Sequence, residues 1–93
     1  MSTYKVGWTT QFKKDYKRAI KRGKPIELLD GVIRELANDE ALPASMRDHE
    51  LTGNFEGVRE CHIEPDWLLV YEKKDDLLVL SLMRTGSHSD LFG

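Results

Sequence analysis

Three histidines are spread through this chain of 93 residues: His49, His62 and His88. Each stands beside polar, turn-forming sequence rather than inside an apolar stripe. His62 opens the run HIEPDW, which places Asp66 and Trp67 just after it. An imidazole gains or loses its proton near neutral pH, with a reference pKa of about 6.5. Two imidazoles and a carboxylate gathered round one phosphate suit the metal-free transfer of a phosphodiester to an adjacent ribose hydroxyl. One group takes the 2′-OH proton and another protonates the departing 5′-oxygen, and each such transfer typically contributes about 10²–10⁴-fold. Arg84 is a candidate to stabilise the charge that develops on the phosphate. Trp67 either stacks a base or fills the core at the start of a strand. The rival chemistry is a zinc site made by the three histidines and Asp66, which no tight ligand motif supports. Cys61 alternates with Ile63 and not with His62, so its thiol belongs on the other face of a sheet.

These groups need elements to hold them. Tyr4–Trp8 alternates like a short strand, and Thr9 or Thr10 offers a capping hydroxyl to the helix that follows. Phe12, Tyr16 and Ala19–Ile20 give that helix, about Gln11 to Arg22, one apolar stripe. Gly23–Pro25 breaks the chain. Ile26, Leu29, Val32–Ile33 and Leu36 then mark a second helix, about Pro25 to Asn38. A long polar loop is predicted up to Gly57. Beyond it VRECHIE alternates, while WLLVYEK and LLVLSLM are apolar runs separated by the polar turn Lys74–Asp76, as in an antiparallel hairpin. The predicted fold is α+β, β-α-α-β-β-β, with two antiparallel helices packed on one face of an antiparallel sheet. In that topology the last strand returns to the Asp66–Trp67 end of its neighbour. His62 and His88 then reach the same sheet margin, with His49 in a loop long enough to cover it.

The length predicts one domain, residues 1–93. No run approaches the roughly 20 apolar residues of a membrane span. The opening MSTYKVGWTT lacks the pattern of a signal peptide, and the lone cysteine has no partner in the chain. Both features predict a reducing, cytoplasmic setting. The net charge of −2 conceals an asymmetry. Residues 1–24 carry eight basic side chains against one acid, Asp15, a balance of +7, while the remainder balances at −9. Lys13, Lys14, Lys17 and Arg18 make the first helix a candidate surface for a polyanion, or simply a solvated basic face.

Three separated motifs, DHELTG (Asp48–Gly53), GVRECHIEPDWLLVYE (Gly57–Glu72) and RTGSHSDLF (Arg84–Phe92), resemble the YafQ-type toxins of the RelE/ParE superfamily, the toxic halves of type II toxin–antitoxin pairs. The resemblance implies a RelE-like fold and a ribosome-dependent endoribonuclease that cuts messenger RNA by 2′-OH attack, with neither metal nor cofactor. By matching motif it implies His49, His62, Asp66, His88 and Phe92 as catalytic residues, with Trp67 beside them. His88 is then expected as general acid and Asp66 or His49 as base. His62 and Arg84 would orient the phosphate, and Phe92 would position a base. The implied partners are an antitoxin, the ribosome and messenger RNA, with operator DNA reached only through the antitoxin. The alternative within the superfamily is a ParE-like binding toxin that poisons a DNA topoisomerase and leaves RNA intact. A third possibility is an inactive member that serves only in assembly with its antitoxin.

Overall fold

Thr9 and Gly23 bracket the first helix. In the computed structural model, which describes residues 3–51 and 57–93, strand β1 (Lys5–Trp8) leads through Thr9 into helix α1 (Thr10–Lys21). The Thr9 hydroxyl accepts the Phe12 N–H at 3.0 Å, satisfying one of the free amides of the first turn. Gly23, with φ 73°, turns the chain out of the helix. Helix α2 (Ile26–Ala37) follows, with Pro25 just ahead of it, where the missing amide costs nothing. Phe12 and Ala19 of α1 and Leu29, Val32, Ile33 and Leu36 of α2 enter one core, and the Tyr16 hydroxyl ties the helices together by donating to Asp30 at 2.8 Å. The expected α1 stripe needs one correction. Ile20 is exposed, and the buried place beside Phe12 and Ala19 belongs to Asp15.

Strands β2 (His49–Glu50), β3 (Val58–Glu64), β4 (Trp67–Lys74) and β5 (Val79–Gly86) form an antiparallel meander, and β1 completes a five-stranded sheet in the order β1-β5-β4-β3-β2. The sheet is therefore mixed rather than wholly antiparallel, because β1 runs parallel to β5. The helix pair carries the chain back across the sheet, so β1 and the final strand point the same way. Bonds from Lys5 N–H to the Leu78 carbonyl (2.8 Å) and from Thr9 N–H to the Leu82 carbonyl (3.0 Å) fix that pairing.

Two further elements interrupt what reads as loop. A 3-10 turn, Ala44–Met46, precedes β2, and the tail winds into helix α3 (His88–Phe92). Leu77 and Leu78, expected in the last strand, lie in the hairpin turn, with Leu78 at φ 52°. Thr52 and Gly53 of the DHELTG motif, and Glu56 of the long polar loop, fall outside the described residues.

The two faces of the sheet differ. Cys61, Trp67, Leu69, Tyr71, Leu80 and Leu82 point into the helix-side core. Burial pushes the Cys61 thiol up to about 12, so it is inert. Leu68 and Val70 alternate onto the opposite face and are buried outside that core. They form the floor on which the imidazoles stand.

Candidate active site

Strand register assembles the site. His62 of β3 pairs with Leu68 of β4, and Leu68 pairs with Gly86 of β5, two residues before His88. His49 of β2 pairs with Glu60, which alternates in phase with His62. The three imidazoles meet as the topology predicts. The rings of His49 and His62 are 6.4 Å apart, and those of His62 and His88 are 5.7 Å apart.

The hydrogen-bond partners distinguish the three rings. His49 Nδ1 lies 2.6 Å from the Arg47 carbonyl. A carbonyl only accepts, so Nδ1 carries the hydrogen, and Nε2 of the neutral ring keeps its lone pair. Its neighbour Asp48 is anchored by the Tyr71 hydroxyl at 2.6 Å and by Arg59 Nε at 3.2 Å. Burial, and then the bond to Asp48, push the Tyr71 pKa up, so the phenol remains a donor. His62 Nδ1 faces the Pro65 carbonyl at 3.3 Å, and its Nε2 faces Glu60 Oε1 at 3.5 Å. The Nε2 contact is a close approach of the ring to a buried carboxylate.

Asp66 and His88 form a dyad. Pro65 and Asp66 are the two turn residues of the β3–β4 hairpin, where Glu64 pairs with Trp67 after a register shift. Asp66 Oδ1 accepts the His88 backbone N–H at 2.9 Å and His88 Nδ1–H at 2.6 Å. Those two bonds, the backbone one first, hold the Asp66 carboxyl below the usual range. The carboxylate orients the ring, and among the described residues His88 Nε2 makes no hydrogen bond. Phe92 ends the same short helix and is exposed.

Other expected residues lie elsewhere. Trp67 is 1% exposed and part of the helix-side core, so no face of it is open to a base. Alternation along β4 decides this, because Trp67 is in phase with Leu69 and Tyr71. Arg84 gives Nε and Nη2 to Asp15, at 2.8 and 3.3 Å, and serves the framework rather than the imidazole face. Arg18 is also engaged, with Asp15 at 3.2 Å and Asp90 at 3.8 Å. Lys13, Lys14 and Lys17 are exposed on α1, across the sheet from the histidines.

Residues outside the expected set join the site. Glu60 is buried, and one donor atom each from Glu60, His62 and His88 lie within 4.8 Å of one another. The period-two alternation of β3 was the signal that could have found it. Arg47, in the left-handed conformation at φ 49°, lines a shallow cleft of about 330 Å³ together with His62 and Pro65. The adjacent carboxylate of Asp48 pairs with Arg59.

With this geometry in view, similarity to known proteins becomes informative. The family model for the bacterial toxin of type II toxin–antitoxin system, YafQ, matches residues 4–93. The chain belongs to the YafQ family of type II toxins. It is 42% identical over 89 residues to the mRNA interferase toxin YafQ of Escherichia coli K12, covering 95% of each chain. The crystal structure of the E. coli DinJ-YafQ toxin–antitoxin complex contains a chain that superposes with a TM-score of 0.91 at 39% identity, covering 98% of this chain and 99% of that one. A metal-bound toxin from Helicobacter pylori superposes at 0.89 with 41% identity, covering 99% and 100%. The superpositions therefore span nearly the whole of each chain.

Proposed function

We propose that this chain is an mRNA interferase, a ribosome-dependent endoribonuclease that cleaves by 2′-OH attack. One observation carries the reading: His49 and His88 flank His62 on a single sheet margin, with opposite roles prepared by their hydrogen bonds. In-line displacement needs the attacking and leaving oxygens on opposite sides of phosphorus. His49 Nε2 takes the 2′-OH proton on one side. The 2′-oxygen bonds to phosphorus, the bond to the 5′-oxygen breaks, and His88 Nε2 delivers a proton to that oxygen. A cyclic phosphate and a free 5′-hydroxyl result. Asp66 acts as the orienter of His88, since its Oδ1 already holds two donors and its basicity is lowered. His62, placed between them, orients the phosphate, and Arg47 presents positive charge to it from the cleft beside His62. Phe92 stands at the rim, where a base can rest on it. Lys13, Lys14 and Lys17 supply a basic face for ribosomal RNA, on a surface separate from the imidazoles.

The partner is an antitoxin, as it is for the E. coli relative with DinJ. The setting is cytoplasmic, where ribosomes are, and no helix of the described residues is long and apolar enough to cross a membrane. The test is to induce the protein in growing cells and map new 5′ ends on translated and untranslated transcripts. Codon-phased cuts confined to translated messages are expected. Halted replication with intact messages would replace this reading with the topoisomerase-binding one.

Metal has a defined effect in this scheme. Imidazole and carboxylate ligands suit zinc and copper, and Glu60, His62 and His88 can offer one donor each. An ion there would take the His88 lone pair that must carry the proton. Chelator is therefore expected to leave cleavage intact, and added zinc or copper to suppress it. Loss of activity in chelator that zinc restores would reverse the assignment.

A further inference from the structure

Helix α3 carries both His88 and Phe92, yet it has only five residues and buries none of them. A helix this short is not stable alone, and its apolar side chains, half-buried Leu91 and exposed Phe92, give it little surface to dock with. Its anchors are polar. The Ser87 hydroxyl accepts the Asp90 N–H at 3.1 Å, and the Asp90 carboxylate accepts the Ser87 N–H at 3.0 Å, closing a capping box. That same carboxylate receives the fork of Arg22, with Nη1 to Oδ2 at 2.6 Å and Nη2 to Oδ1 at 3.3 Å. Arg22 is the residue that caps the C-terminus of α1. The chain passes so close beneath Asp90 that a Cβ on Gly86 would lie 2.9 Å from the Asp90 Cβ. On its other side, the first turn of α3 is held by Asp66.

We propose that Asp90 and Arg22 are positioning residues for the reaction: the Arg22–Asp90 pair latches the tail helix to α1 and so holds His88 against Asp66. This inference rests on the assignment of His88 as the acid. Neither residue faces the imidazole row. Arg22, followed by the Ser87 amide, keeps the Asp90 carboxyl well below the usual carboxylate range, so the latch stays closed at any pH of growth. The bidentate geometry sets direction as well as charge, which a lysine would not reproduce.

Cleavage of a message on purified ribosomes by Asp90→Ala, Arg22→Ala, Arg22→Lys and His88→Ala tests this. A shift of about 1 Å in a catalytic group costs up to about 10²-fold, so Asp90→Ala is expected to lower kcat by at least about tenfold. Its KM should change less than kcat, because Asp90 touches no RNA and only the displacement of Phe92 on the same helix could weaken binding. Arg22→Ala should lower kcat similarly while leaving the capping box whole, which also covers the case that Asp90→Ala frays the tail. Arg22→Lys should recover only part of the rate. Nitrogen-detected NMR should show the His88 Nδ1–H signal of the bond to Asp66 in the parent and lose it in Asp90→Ala. Parental kcat in both Asp90→Ala and Arg22→Ala, with His88→Ala inactive, overturns the latch and leaves the acid assignment standing. An active His88→Ala overturns both.

Discussion

His88→Ala is expected to abolish growth arrest on induction and to lower cleavage in a purified assay by about 10²–10⁴-fold, while the protein should remain folded and still bind its antitoxin. The size of the effect follows from the position of Nε2. Nδ1 is committed to Asp66 at 2.6 Å, which fixes the ring and leaves Nε2 as the atom that can hand a proton to the departing oxygen. A leaving alkoxide without an acid is a poor leaving group, and no other imidazole lies on that side of His62. The small cost in stability follows from burial. The His88 side chain is 54% exposed, and its helix buries nothing, so truncation opens no cavity. Asp66→Asn should fall between the parent and His88→Ala, since an amide oxygen still orients the ring but accepts more weakly than a carboxylate. The measurements are a rate on programmed ribosomes and a thermal melt of the same samples. A His88→Ala protein as toxic as the parent would remove the acid from the mechanism.

What could be read in advance depended on period and topology. Phe12, Leu29, Val32, Leu69 and Leu82 repeat at helix or strand spacing, and hydrophobic burial acts on that spacing directly. Once β4 and β5 pair antiparallel, the return of His88 to the Asp66 end is geometry, and the meeting of the imidazoles follows. Other features had no local signal. β2 is two residues long, too short for any alternation to register. The tail helix is held by a capping box and by Arg22, 68 positions away from Asp90, and has no fully buried residue. β1 could have joined either edge of the meander; its parallel place beside β5 comes from the path of the helix pair. Residue type alone leaves Trp67 between a stacking surface and the core and makes Arg84 a candidate phosphate ligand. The face of β4 and the presence of Asp15 decided otherwise.

Asp15 is the second large effect, on stability rather than on chemistry. It lies on the apolar stripe of α1, its side chain is 1% exposed, and it accepts from Arg84, from Gln11 at 3.0 Å and from the Thr85 amide at 3.2 Å. Asp15→Ala would leave the buried Thr85 amide without its acceptor and Arg84 without its charge partner. Breaking a buried pair costs about 3–5 kcal/mol, and the lower end applies because Arg84 remains 32% exposed to water. Desolvation opposes ionisation of Asp15, but the bonds from Arg84, Gln11 and Thr85 outweigh it and leave its pKa lowered. A lowered folded-state pKa means that the folded protein holds the proton less tightly than the unfolded chain. The resulting stabilisation is complete above the unfolded carboxylate value of about 3.9 and disappears as pH falls through the folded value. Urea unfolding of the parent and of Asp15→Asn, which keeps the shape and removes the charge, should therefore differ by a constant amount from pH 8 down to pH 5, and the gap should narrow below about pH 4. A gap equally wide at pH 3 would mean that the carboxylate charge contributes nothing and that packing alone accounts for the loss. Because Arg84 and Thr85 lie in β5 just before Gly86, loosening Asp15 also loosens the strand that delivers His88. The variant should accordingly lose activity at temperatures where it is still folded.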